Sequence, residues 1–219
     1  MNEPLVIEYY TDILCVWAWI AQRRVDELEA EYGNKVHFRH RYIDLFGDTQ
    51  TRMQEHWGDR GSYNGFGEHV CQAATPYISA PVNKDVWRTC RPTTSGNAHL
   101  VIKAVELSCG ESAAITLALA IRKAFFTDAV DISNLNVLME MVQAQQTDPQ
   151  PVWEAINCGA AIAAVMHDYQ LAKNQGIKGS PSYVIDGGRQ VLYGNVGFRV
   201  LHANINELLK NPRDEASWC

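Results

Sequence analysis

Residues 5–20 read LVIEYYTDILCVWAWI, and this stretch decides the fold. Its first six residues are mostly apolar, β-branched or aromatic, which predicts a buried strand. A helix follows, because apolar side chains recur from Trp17 to Tyr32 at intervals of three or four residues. Gly33 ends that helix, and residues 35–43 then alternate between apolar and polar side chains, as a strand does. Strand, helix and strand in this order predict a parallel pair with a crossover helix.

The C-terminal part of the chain returns to the strand pattern. Residues 182–186 (SYVID) and 190–193 (QVLY) predict two strands, and Gly187 with Gly188 predicts a two-residue hairpin turn between them. Apolar residues spaced along 198–208 predict a final helix. A strand-helix-strand unit and a strand-strand-helix unit together make a four-stranded mixed sheet with helices on its faces. The sequence therefore predicts an α/β fold.

The middle of the chain is predicted to be mainly helical. Glycine and proline interrupt residues 47–92, which indicates loops and short helical pieces. Four amphipathic stripes follow, and the fourth is predicted as one kinked helix from Pro149 to Gly176.

These patterns also predict how the chain divides into domains. Neither outer unit can bury a sheet alone, so we expect residues 1–46 and 168–219 to form one discontinuous domain. Residues 47–167 then form an all-helical insertion domain that covers one face of the sheet.

Composition narrows the class of protein. The chain has 219 residues, 47% of them hydrophobic, and a net charge of −6, which is typical of a globular protein and disfavours nucleic acid as a partner. Its first residues lack the charged and apolar regions of a secretory signal. No apolar run approaches the roughly 18 residues of a membrane span. We expect a cytoplasmic protein with neither nucleic acid nor membrane as a partner.

Six scattered cysteines follow no disulfide or zinc pattern, and no two of them form a CxxC pair. They are Cys15, Cys71, Cys90, Cys109, Cys158 and Cys219. We expect reduced thiols in a cytoplasmic setting and no metal site.

Cys15 falls where the first strand ends and the first helix begins. The first N–H groups of a helix have no partner inside it, and the helix dipole adds partial positive charge there. Both effects favour a thiolate, which predicts a reactive cysteine with a pKa below the free value of about 8.5. A buried core cysteine is the structural alternative.

A second candidate element is Lys178-Gly179-Ser180-Pro181-Ser182, just before the predicted hairpin. The Ser180-Pro181 bond is predicted to be cis and to lie close to Cys15, so that the preceding backbone can pair with an extended substrate. An ordinary trans proline at the start of a strand is the alternative.

The two elements together resemble a known family. DILCVWA at 12–18 resembles the active-site loop of DsbA-like oxidoreductases, particularly the FrnE-like branch, which usually reads Cys-Pro-Trp-Cys there. GIKGSPSYVI at 176–185 resembles the cis-proline loop of that branch. The resemblance implies a thioredoxin fold, β-α-β plus β-β-α, with an inserted all-helical domain. The 2-hydroxychromene-2-carboxylate isomerases and kappa-class glutathione transferases share this layout, but they carry serine in place of Cys15 and bind glutathione.

This chain departs from the FrnE-like motif at two positions. Val16 replaces the proline, and Ala18 replaces the second cysteine. We therefore expect a thiol-disulfide oxidoreductase or protein disulfide isomerase that acts through the single nucleophile Cys15. Ser180 and Pro181 would hold the substrate, which is a protein or glutathione carrying a thiol or disulfide. No tightly bound cofactor is expected, and glutathione is the candidate cosubstrate.

Two alternatives remain open. One is a glutathione-dependent isomerase or transferase, in which Cys15 binds the glutathione sulfur. The other is a catalytically silent binding module.

The aromatic residues near Cys15 have different predicted roles. Trp19 lies off the apolar stripe of the helix and is the candidate aromatic for substrate contact, whereas Trp17 anchors the helix. His40 and His99 are interpreted as structural.

Overall fold

The computed structural model describes residues 3–210. The tail that the sequence predicts to be frayed, residues 211–219 with Cys219, lies outside the described residues. The elements in chain order are β1 (Leu5–Thr11), α1 (Val16–Tyr32), β2 (Val36–Tyr42), α2 (Thr49–Trp57), α3 (Ser62–Ala74), α4 (Gly96–Cys109), α5 (Glu111–Phe126), α6 (Leu135–Ala144), α7 (Pro149–Asn157), α8 (Ala160–Asn174), β3 (Ser182–Ile185), β4 (Gln190–Tyr193) and α9 (Phe198–Lys210).

The four strands form one mixed sheet in the order β2-β1-β3-β4. β1 pairs in parallel with β2 through the crossover helix α1, and antiparallel with β3, which pairs antiparallel with β4. This confirms the predicted α/β fold with β-α-β and β-β-α units. The predicted two-residue hairpin turn is wrong, because a short 3-10 turn at Asp186–Gly188 and then Arg189 connect the two strands.

Helices cover both faces of the sheet. On one face Ile7 and Tyr9 of β1 pack with apolar side chains of α1 and α9. On the other face Tyr10 of β1 and Val184 of β3 pack with Ala172 of α8. Because β1 and β3 are covered on both sides, their sequences are almost continuously apolar.

The inserted segment, residues 47–167 (the helical block), is mainly helical apart from the irregular stretch 75–95, and it shares a large apolar core with the start of α1. Residues 47–92, predicted as loops and short pieces, contain the full helices α2 and α3. The single kinked helix predicted after Pro149 is two helices, because the backbone at Gly159 turns with φ +84° between α7 and α8. α8 crosses residue 168, where the sequence places the domain boundary, and the two-domain division stays a prediction.

A buried cluster of charges joins the helical block to the sheet. The carboxylate of Asp168 on α8 lies 3.0 Å from Arg41 Nη1 of β2 and 2.9 Å from Lys103 Nζ of α4. It also accepts a hydrogen bond from the backbone N–H of Tyr42 at 3.2 Å. Asp168 is fully buried, so this one carboxylate ties α4, α8 and β2 together.

No helix within residues 3–210 is long and apolar enough to cross a membrane.

Candidate functional site

Cys15 is the N-cap residue of α1. Its carbonyl accepts hydrogen bonds from the N–H groups of Ala18 and Trp19, both at 3.1 Å, which close the first turn of the helix. Its thiol donates to the carbonyl oxygen of Ser180 at 3.1 Å. Two segments 165 residues apart in the chain therefore meet at the sulfur.

The Ser180-Pro181 peptide bond is cis, as the sequence predicts. Neighbouring strands hold this loop on both sides. The Ser180 hydroxyl oxygen accepts a hydrogen bond from Asp12 N at 3.0 Å, and the Pro181 carbonyl accepts one from Gly194 N at 2.8 Å. The loop is thus fixed between the end of β1 and the end of β4, with the Ser180 carbonyl directed at Cys15.

The predicted depression of the Cys15 pKa is wrong in direction. The residue is only 6% exposed, and burial raises the pKa of its thiol above the usual value. A hydrogen bond from Ser180 and the N–H groups of Ala18 and Trp17 at the helix start lower the pKa, but by less than burial raises it. The helix start lowers the pKa of Cys15 as expected. Burial of Cys15 beneath the helical block raises the pKa by more.

Asp12, three residues before Cys15, is a site residue that the sequence analysis does not single out. It is fully buried, and its carboxylate accepts hydrogen bonds from Leu14 N, Phe46 N and Ser95 Oγ, each at 2.9 Å. Burial nevertheless raises the pKa of Asp12 to about 6. The available signal was an acidic residue at the end of an apolar strand, where only a partnered carboxylate is stable.

We expect Asp12 to make the stability of the protein depend on pH. A folded-state pKa of about 6, above the ordinary value of 3.8, means that the folded state binds the proton more tightly. The contribution of Asp12 to the free energy of unfolding therefore falls as the pH rises from about 4 to about 6, by roughly 3 kcal/mol. Urea unfolding of wild type and Asp12→Asn across this range measures it. The wild type should lose stability relative to the variant, and a difference that is independent of pH would contradict the assignment.

His99 packs directly beneath the turn that leads to Cys15. Its Nε2 accepts a hydrogen bond from Ile13 N at 3.3 Å, so its Nδ1 carries the hydrogen that is shared with Tyr169 Oη at 2.8 Å. Complete burial lowers the pKa of His99 to about 3, which keeps the ring neutral. His40 is likewise buried, with its pKa lowered to about 3. Both residues fit the structural interpretation.

Trp19, the aromatic predicted to contact substrate, is buried between α1 and the helical block. Trp19 is 8% exposed, stacks on Phe126 with ring centroids 5.9 Å apart, and donates from Nε1 to Pro81 O at 3.1 Å. These contacts anchor α1 to the helical block, which disfavours the predicted contact of Trp19 with substrate. Trp17 is partly buried and packs against the core that α1 shares with the helical block, in line with its predicted role as an anchor of the helix.

A known protein family matches the part of the chain that carries this site. The family profile described as Thioredoxin matches residues 9–191, which include Cys15, the helical block and the cis-proline loop. The chain belongs to the thioredoxin family.

The relatives of this thioredoxin-family chain carry several different descriptions. The ClpXP adapter protein SpxH of Halalkalibacterium halodurans is 27% identical over 84% of the chain, which spans 59% of that relative's length. Among solved structures, a protein described as a disulfide isomerase from Nitrosomonas europaea has a TM-score of 0.74 at 16% identity, covering 95% of this chain and 98% of its own.

Two further structures have the same fold. The cytosolic disulfide reductase DsbM of Pseudomonas aeruginosa, solved with GSH, has a TM-score of 0.64 at 16% identity and covers 95% of this chain and 98% of its own. A 2-hydroxychromene-2-carboxylate isomerase has a TM-score of 0.67 at 18% identity and covers 97% of this chain and 100% of its own. At these identities the likeness is one of fold, and it confirms the predicted thioredoxin fold of the DsbA-like and isomerase type.

Proposed function

We propose that this protein is a thiol-disulfide oxidoreductase or protein disulfide isomerase that uses Cys15 as its only motif thiol. The observation that carries the proposal is the 3.1 Å contact between Cys15 Sγ and the Ser180 carbonyl. That contact puts the sulfur at a helix start, directly against a loop whose backbone can hold an extended chain. We place this activity in the cytoplasm, in line with the neighbour DsbM, a cytosolic disulfide reductase.

The reaction is thiol-disulfide exchange in two steps. The Cys15 thiolate attacks one sulfur of a substrate disulfide, a new S–S bond forms, and the other substrate sulfur leaves as a thiolate that takes up a proton. A second thiol then attacks the mixed disulfide and returns Cys15 to its reduced form. Because Ala18 supplies no sulfur, this second thiol comes from the substrate or from glutathione.

Glutathione is the cosubstrate that we favour. A neighbour of the same fold was solved with GSH, and the backbone of Ser180 lies beside the sulfur, where a cysteinyl residue could pair with it. A glutathione-dependent isomerase or transferase would use the same contacts, with Cys15 bonded to the glutathione sulfur and no net exchange on a protein substrate.

A non-catalytic binding module is the second candidate function. Two observations favour it: burial raises the pKa of Cys15, which slows any reaction of its thiolate, and a relative at 27% identity is described as an adapter protein. In that case the helical block would serve recognition, and Cys15 would be a core residue.

Glutathionylation of Cys15 distinguishes these functions. The test uses a parent variant in which Cys109, Cys158 and Cys219 are replaced by serine, because Cys109 and Cys158 are exposed thiols that would react regardless of function. Incubation with oxidised glutathione should add the mass of one glutathionyl group to the intact protein. The same addition should occur in the Cys71→Ala and Cys90→Ala variants of this parent and should be lost in its Cys15→Ala variant, because Cys71 is partly exposed and Cys90 is buried. A folded parent protein that gains no mass at Cys15 would refute the proposal and support the binding module.

A further inference from the structure

Arg122 is a buried cation that no carboxylate pairs with among the described residues. It lies on α5 and is 1% exposed. Its Nη1 donates to Gln22 Oε1 at 3.1 Å and its Nη2 to Thr11 Oγ1 at 2.6 Å, and both acceptors are neutral. Its Nε has no hydrogen-bond partner in the structure. A buried charge without an ion pair destabilises a fold, so its presence requires an explanation.

The hydrogen bonds lead from this cation towards the reactive sulfur. Arg122 has no acceptor atom, so it donates to Thr11 and occupies a lone pair of that hydroxyl. Thr11 Oγ1 lies 3.5 Å from Ser180 Oγ, and both hydroxyls are buried. Ser180 Oγ also accepts the N–H of Asp12, which leaves its own hydrogen free to donate. The donors therefore run from Arg122 to Thr11 and on to Ser180, whose backbone carbonyl lies 3.1 Å from the Cys15 sulfur.

The thiolate form of Cys15 is the group that these hydrogen-bond donors would stabilise. In the thiol form, the Cys15 hydrogen is directed at the Ser180 carbonyl. Loss of that proton creates an anion beside Ser180, and a hydrogen bond from the Ser180 side chain lowers the pKa of Cys15. A thiolate accepts such a bond more strongly than a thiol does.

Asp12 is the other anion that this cation faces. The positive charge of Arg122 affects the pKa values of Tyr9, Asp12, His40, Tyr42, His99 and Tyr183. The pKa values of the tyrosines are raised and those of the histidines lowered, so all of them are neutral at neutral pH. The groups coupled to Cys15 are Asp12, Tyr9 and Tyr183. Within residues 3–210, Asp12 is thus the charged group that interacts with both Arg122 and Cys15.

We propose that Arg122 and Thr11 are positioning residues that orient the Ser180 hydroxyl to stabilise the Cys15 thiolate. This inference deepens the proposed function and rests on it, because a thiolate matters only if Cys15 reacts. Arg122 contributes through the hydrogen bond that it donates to Thr11. This assigns the buried cation a role that folding alone does not explain.

The test measures the ionisation of Cys15 and requires no disulfide substrate. Thiolate absorbance in the ultraviolet is followed against pH, and the curve of the corresponding Cys15→Ala protein is subtracted from each. Thr11→Val keeps the shape of the side chain and removes the hydroxyl, so the thiolate fraction at neutral pH should fall about fivefold. Arg122→Met should lower it to a similar degree, because Thr11 then loses the donor that fixes the direction of its own hydrogen bond.

Two further variants separate the hydrogen-bond chain from packing. Thr11→Ser retains the hydroxyl and should restore most of the wild-type ionisation. Gln22→Met removes the other hydrogen bond of Arg122 without touching Ser180, and it should leave the ionisation of Cys15 nearly unchanged. In a Thr11→Val background, Arg122→Met should have a much smaller effect than in wild type.

The result that would overturn the inference is a folded Thr11→Val protein with the wild-type Cys15 titration. Equal shifts in Thr11→Val and Thr11→Ser would also overturn it, because they would trace the effect to packing. A failure of the proposed function is a separate result: Cys15 would ionise as described, with the expected response to Thr11→Val, yet would form no mixed disulfide with oxidised glutathione.

Discussion

Ala18→Cys is expected to raise the rate at which this protein oxidises a reduced dithiol substrate by at least about tenfold, because it turns a bimolecular resolving step into an intramolecular one. Net oxidation of a dithiol removes two electrons, and a single sulfur at Cys15 cannot store them. In the wild type, a mixed disulfide at Cys15 persists until an outside thiol attacks it.

The geometry of α1 favours this conversion. Ala18 N donates to the Cys15 carbonyl at 3.1 Å, so the two residues lie one turn apart at the helix start. Residues at that spacing have Cα atoms within the roughly 4.4–6.8 Å that a disulfide requires. Ala18 is fully buried, so the added sulfur must be accommodated in packed surroundings at a cost of about 1–3 kcal/mol.

Oxidative refolding of a reduced model protein measures the effect, with and without glutathione. Ala21→Cys is the matched control, since Ala21 is equally buried but a further turn along α1, roughly 9 Å from Cys15 by helical rise and too far for a disulfide. If wild type oxidises the substrate as fast as Ala18→Cys does, a distant cysteine resolves Cys15 and the single-thiol proposal is wrong. A glutathione-dependent isomerase predicts the reverse, because the new thiol would compete with glutathione for Cys15.

Asp168→Ala is expected to lower the free energy of unfolding by about 3 kcal/mol, because the truncation removes the one fully buried carboxylate of the cluster. Arg41 and Lys103 then keep only their more exposed partners, Glu8 and Glu106. Lys103 is 3% exposed, and the Arg41 side chain is 16% exposed. Both lose their carboxylate partner on α8, and the N–H of Tyr42 loses its acceptor. The loss loosens the contact of α8 with both β2 and α4.

Urea unfolding followed by circular dichroism measures this loss. Glu27→Ala is the control, since its ion pair with Arg23 lies on the exposed face of α1 and should contribute less than about 1 kcal/mol. A loss at Asp168 no larger than the loss at Glu27 would show that the buried charges find other partners, and that this cluster does not hold the helices to the sheet.

The fold follows from the sequence where side-chain periodicity and burial agree. β1, α1 and β2 carry the strongest patterns, since each packs one regular apolar face or is covered on both sides. The meeting of Cys15 with Ser180 follows from the order of the elements together with the resemblance of both segments to the DsbA-like family. α3 could not be predicted, because glycine disfavours a helix, whereas Gly67 allows close packing here: a Cβ there would lie 2.9 Å from Val86 O.

The surroundings of Cys15 depend on contacts between segments that are distant in the chain, and no local sequence pattern predicts such contacts. Trp19 lies off the apolar stripe of α1, yet Phe126 and Pro81 bury it from far along the chain. The pKa of Cys15 follows from its coverage by the helical block and not from its place on α1. The sequence does not distinguish Arg122 from other charged residues, because its hydrogen bond to Thr11 of β1 depends on the tertiary fold.

Helix α8 limits where this chain can be divided. It runs unbroken from Ala160 to Asn174, packs on the helical block with one part and on the sheet with another, and leads within six residues to Ser180. A cut at residue 167 would end the helix in mid-turn, next to the carboxylate that neutralises Arg41 and Lys103. Transplanting the helical block onto another thioredoxin scaffold would therefore require the whole of α8, and the graft would bring the entrance to the cis-proline loop with it.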